Sequence, residues 1–193
     1  VVVKVISGGK KLQAALKRIA KKANKAAQVN VGFLGHKGDG NDTGDNPAVY
    51  PDGTPVAMVA AIMEYGAPSV GVPPRSFFRT MVQKKQGKWG EALGRNLVAQ
   101  DFDSEKAMRA MGEGIQGQLR DSISELDAPA LSPVTLMLRK LYPVSGPGVQ
   151  LAREVVEARM LVELGEDYSG VSTKPLIWTG HLQQSADYEV ISS

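Results

Sequence analysis

The sequence predicts an α+β fold, helix-rich, with several packed helices and a small antiparallel sheet. Two observations predict it. Helical periodicities outnumber strand-like ones, and the strand-like stretches lie at the beginning and end of the chain. Helices set apart from a few strands are the pattern of α+β architecture. The 193 residues suit one domain, 1–193, with a helical insertion at 145–173.

Taken in order, VVVKVI reads as a strand and is too short for the core of a signal peptide. Residues 10–27 form the clearest helix, with Leu12, Ala15, Leu16, Ile19, Ala20, Ala23 and Ala27 on one apolar stripe. VNVGFLG (29–35) reads as a strand with Val29, Val31 and Phe33 on one face. A Gly- and Asp-rich surface loop follows at 36–53. Thr54-Pro55 opens a second helix, Thr capping and Pro in first position, with Val56, Val59, Ala60 and Met63 inward and Gly66 as its left-handed stop.

Pro73-Pro74 holds the next stretch extended. Helical spacing resumes through Phe78, Met81, Trp89, Leu93 and Leu97, with a break expected at Gly87 and Gly90. Asp103-Ser104 begins a helix carrying Met111, Ile115, Leu119 and Ile123 on one side. Gly112, Gly114 and Gly117 inside it each cost about 1 kcal/mol against alanine, which close packing would offset. Ser132-Pro133 caps a short helix to Leu141, and 150–165 forms another. The chain closes with a helical turn from Thr179 and a strand bearing Tyr188 and Val190.

Composition excludes much chemistry. Without cysteine there is no disulfide, thiol nucleophile, zinc ribbon or iron–sulfur cluster. No apolar run reaches the roughly 20 residues of a membrane-spanning helix, so no membrane partner is expected. Nine cations precede Asp39, the first acidic residue, leaving a charge of −6 in the remainder of a chain whose net charge is +3. Such asymmetry points to an anionic surface, either nucleic acid or an acidic protein neighbour, unless it is merely a solvated face. Lys17, Arg18, Lys21, Lys22 and Lys25 are the residues that would make this contact.

No catalytic motif stands out. His36 and His181 lie in no metal-ligand spacing, and no nucleophile elbow, Walker loop or dinucleotide fingerprint occurs. Asp39, Asn41, Thr43 and Gly44 imitate a calcium loop, but its closing Glu position is Tyr50. We expect no enzyme activity, cofactor or metal. A sequence-independent nucleic-acid-binding protein stays open, since the basic helix could neutralise several phosphates, although it lacks an aromatic for base stacking.

Three stretches together resemble the virion-morphogenesis family of tailed bacteriophages, the neck and tail-completion (head–tail joining) proteins of lambdoid and Mu-like phages. They are VAMVAAIMEYG with VPPRSFFR (56–66 and 72–79), LSPVTLMLRK (131–140) and KPLIWTGHLQQSADYEV (174–190). The chain departs from the pattern at Ser76, where the family has a proline, and in the extra length at 145–173.

The resemblance implies a structural protein of the virion neck, assembled in the host cytoplasm as a sixfold ring. Its neighbours would be connector, neck and tail proteins, and non-specific contact with packaged DNA is a further expectation. A tail terminator capping the tail tube is the alternative within the same class. The resembling segment places a protein interface at Glu64, Tyr65, Arg75, Phe77 and Arg79, because arginine-flanked aromatics suit interface centres. Phe78 is expected in the core with Met81. Leu176, Thr179, Gly180 and Leu182 are expected to form a corner that sets the last strand.

Overall fold

The computed structural model describes residues 9–23, 27–34, 48–143 and 152–192. Among them, seven α-helices, one short 3-10 turn and two strands give the expected helix-rich α+β architecture. The strand read at the very start of the chain and most of the 36–53 loop, including the calcium-like residues 39–44, His36 and Lys25, lie outside the described residues.

The sheet joins the segment after the first helix to the last described segment. Strand β1 (Ala27–Gly32) pairs antiparallel with β2 (Asp187–Ser192), placing Val29 opposite Val190 and Val31 opposite Tyr188. Side chains alternate across a strand, so this register puts both apolar sets on one face. That face lies on helix α4 (Ser104–Glu125). Gly112 of α4 makes the close approach workable, because a methyl group at its position would overlap the Tyr188 ring. Gly114 and Gly117 have open space around them, so packing does not offset their helical cost.

Helix α3 (Phe77–Ala99) runs back along α4. Ser122 Oγ donates to the Phe77 carbonyl at 2.7 Å, and Trp89 Nε1 donates to Gln118 Oε1 at 2.9 Å. The break expected at Gly87 and Gly90 does not occur; both are helical, and the packing of Trp89, Ala92 and Leu93 on the core carries the helix past them. Asp103 caps α4 by accepting from the Lys106 amide.

The first basic helix, α1, is described over Gly9–Ala23, and Ala27, expected at its end, belongs to β1 instead. Helix α2 (Val56–Tyr65) begins with Pro55 in the capping position rather than inside the helix. Thr54 is therefore not the cap: its amide and hydroxyl both turn back to Asp52, at 3.0 and 2.9 Å. Gly66 ends α2 at φ 78° and ψ 169°, a glycine-only conformation but not the left-handed helical one expected. A side chain there would also fall 2.8 Å from the Pro74 nitrogen.

Two apolar clusters result. The larger joins Val56 and Val59 of α2, Phe77 and Met81 of α3, and Ile115, Leu119 and Ile123 of α4. The smaller lies between α5 (Pro133–Leu141) and α6 (Ala152–Glu163), around Met137, Leu138 and Ala158. Ser132 caps α5 as expected, its Oγ accepting from the Thr135 amide at 3.2 Å. A strap then leads to the single turn α7 (His181–Gln184) and into β2. No described helix is long and apolar enough to cross a membrane.

Candidate functional site

The stretch 64–79 folds around one carboxylate. Glu64, near the end of α2, is buried, and its Oε2 accepts from the Phe78 amide at 2.8 Å. Its Oε1 accepts from the Arg79 amide at 3.1 Å and from Arg79 Nε at 2.8 Å. The first amides of a helix have no internal partner and carry the positive end of its dipole. Here the anion that satisfies them comes from the preceding helix, and Ser76 at the capping position makes no cap hydrogen bond. The Ser76 hydroxyl instead accepts from Arg79 Nη2 at 2.8 Å, and Nη2 also donates to the Glu64 carbonyl. The Arg79 guanidinium lies 4.8 Å from the centre of the exposed Tyr65 ring.

This geometry corrects three interface expectations. Phe77, expected to face a partner, is 1% exposed and meets Phe33 edge-on with ring centres 6.1 Å apart. Phe78, expected in the core with Met81, does pack against that cluster but is partly buried. Glu64 and Arg75 are likewise enclosed by their own chain, Glu64 because it caps α3 and Arg75 because its side chain turns in towards Met63 and Pro129. Of the five, Tyr65 and Arg79 remain at the surface.

Arg75 leads to a feature that no single motif discloses. It lines a cavity of about 420 Å³ at the seam between the two apolar clusters. Ser132, Thr135 and Arg139 of the α5 segment line it as well, and so do Leu176, Trp178 and His181 of the last segment. The three stretches that carry the family resemblance are far apart in sequence and converge on this one space. His181 is held there by an edge contact with the buried Tyr50 ring and by a 3.0 Å hydrogen bond between its Nε2 and the Val49 carbonyl. The Thr179 hydroxyl accepts from the His181 amide and so helps to form the expected corner, with Leu176 and Leu182 buried beneath it.

Two buried cations meet in the cavity. The end of the Arg139 guanidinium is employed in structure: Nη1 donates to the carbonyls of Ser172, Lys174 and Ile177 at 2.6–2.9 Å, and Nη2 to that of Pro175 at 3.3 Å, while its Nε is buried without a hydrogen-bond partner. Its guanidinium also sits 5.6 Å from the centre of the Trp178 ring. Burial, and then the neighbouring Arg75 cation, pull its pKa down to about 10. Arg75 is 6% exposed and much less well served. Its Nε reaches the Pro129 carbonyl only at 3.4 Å and its Nη1 lies 4.0 Å from the Met63 sulfur. Burial lowers its pKa as well. Among the described residues no carboxylate pairs with either.

Helix α1 is a second feature at the surface. Its apolar stripe is only partly covered: Leu12 is 62% exposed and Leu16 56%, while Ala15 and Ile19 are partly buried. Lys17, Arg18 and Lys21 are exposed around the polar side. Lys22, expected to meet a partner, is instead half-buried and tethers the helix, donating to Asp101 Oδ2 at 2.5 Å. Lys22, and more weakly Arg18, hold the Asp101 carboxyl below its ordinary pKa.

Compared with protein families, curated proteins and solved structures, the chain matches none. Among the described residues no group of three or more His, Cys, Asp or Glu could hold a metal ion. Arg139 and Trp178 were not anticipated as site residues. One signal for Arg139 was present: it follows Thr135 by four residues and therefore shares its helix face.

Proposed function

We propose that this chain is a structural, non-catalytic subunit of a bacteriophage neck, forming a closed ring at the head–tail junction in the virion. The observation that carries this reading is α1. A helix with exposed Leu12 and Leu16 on one side and Lys17, Arg18 and Lys21 on the other presents an apolar seam and a cationic rim. A ring needs two different complementary patches on each subunit. The basic beginning and the net-acidic remainder of the chain provide such a pair, which selects a second copy of the chain as the occupant of the α1 face. The convergence of the three resembling stretches on one cavity supports treating them as one inherited device.

The test is electron microscopy of lysates from a phage in which this gene is interrupted. Separate DNA-filled heads and finished tails are the expected outcome. Tails of uncontrolled length would favour the tail-terminator reading. Normal infectious particles would remove the virion reading. A sequence-independent DNA-binding role is the second reading, favoured by the exposed Lys17, Arg18 and Lys21. It requires retention on DNA that weakens steeply with salt.

A further inference from the structure

The cavity between the two clusters contains a charge that the fold itself leaves poorly compensated. Arg139 has an evident structural task, since its four carbonyl bonds staple the 172–177 strap onto α5. Arg75 has no equivalent. The residue is more than nine-tenths buried, its hydrogen bonds are long, no ion pair to it is found among the described residues, and Arg139, a like charge, is close enough to feel it. A buried cation without an anion is costly, and two close together cost more. The indole Nε1 of Trp178 and the Nε of Arg139, which line the same space, are buried without a hydrogen-bond partner.

We propose that this cavity receives a carboxylate carried on an apolar body, with Arg75 as the counter-ion. The walls favour that ligand class. Val59, Met63, Leu131, Pro175, Leu176 and Leu182 provide an apolar lining, and about 420 Å³ falls in the range of small-ligand pockets. A guanidinium presents a planar fork that matches the two oxygens of a carboxylate. The same chemistry is found in a small aryl or alkyl acid and in the last residue of a polypeptide ending in an apolar side chain. The inference does not depend on ring formation, because the cavity lies within one chain.

The experiment uses the full chain with 4-phenylbutyrate and its neutral analogue 4-phenylbutyramide, followed by calorimetry and by tryptophan fluorescence. Trp178 at the cavity should report binding, whereas Trp89 lies on α3 against Gln118. The acid should bind roughly tenfold or more tightly than the amide, as expected for a charge-assisted hydrogen bond. Arg75→Met should remove that preference while circular dichroism stays unchanged. Should the variant fail to fold, the acid–amide comparison on the unaltered chain decides alone.

A second arm compares an acetylated peptide ending in phenylalanine with its C-terminal amide. Tighter binding of the free-acid peptide than of phenylbutyrate identifies a chain end as the occupant. Binding of phenylbutyrate alone identifies a small acid. Equal binding of acid and amide, no binding by either acid, or a preference that survives in folded Arg75→Met would overturn the proposal.

Discussion

Glu64 and Arg79 hold each other by both side chain and backbone. The carboxylate accepts from the Arg79 amide and from its Nε, while Arg79 Nη2 returns a bond to the Glu64 carbonyl. The end of α2 and the start of α3 are thereby closed into one unit, and the Gly66 and Pro73-Pro74 turn is fixed between them. The turn chemistry of residues 64–79 thus serves to aim α3 at α4. Glu64→Ala removes the anion from the first turn of α3 and leaves its amides without their acceptor. Urea unfolding should show a loss of about 2–3 kcal/mol. Arg79→Ala, at an exposed position, should cost about 1 kcal/mol or less. Equal losses would contradict the capping role.

Glycines of one helix should respond with opposite signs. Gly112→Ala places a methyl group into the Tyr188 ring and should destabilise by about 1–3 kcal/mol despite its better helix propensity. Gly114→Ala meets open space and should stabilise by up to about 1 kcal/mol. Thermal melts of the two variants decide this. Stabilisation by both would mean that β2 does not lie against α4 as described.

Alkaline stability should depend on Tyr50. Burial first, and then the Asp52 charge, raise its phenol to about 12 from an ordinary value of 10.0. A group whose pKa is raised by folding contributes stability that is complete below its unfolded value and is lost as pH rises through the folded one. The loss should therefore run from pH 10 to about 12. Tyr50→Phe should flatten the dependence of unfolding free energy on pH in that window. An unchanged slope would show that Tyr50 is not the group responsible.

How far the sequence discloses the fold varies from element to element. The facing of the sheet follows from alternation, since Val29, Val31, Tyr188 and Val190 can share one face in only one phase, whereas a slip by two residues would leave that face unchanged. Phe77 and Phe78 are harder to tell apart. They stand four and three residues before Met81, and both spacings suit a 3.6-residue period, so the choice falls to the way α3 leans on α4. The Glu64 cap leaves no local signature, because its amide partners lie 14 and 15 residues away across a turn. Periodicity identified the α1 stripe as apolar but carries no information about what covers it. The cavity was hidden for a related reason. It is assembled from three distant stretches, and Arg139 becomes a buried cation only when the strap closes over α5.

Whether α1 joins one copy of the chain to the next, as we propose, is tested most directly by sedimentation velocity across a range of protein concentrations. The unaltered chain should form one closed oligomer, six-membered in our reading. Leu12→Asp combined with Leu16→Asp should reduce it to a folded monomer, because both side chains are exposed and contribute little to the chain's own core. Identical sedimentation of the variant and the unaltered chain, or a monomer at every concentration, would contradict the account.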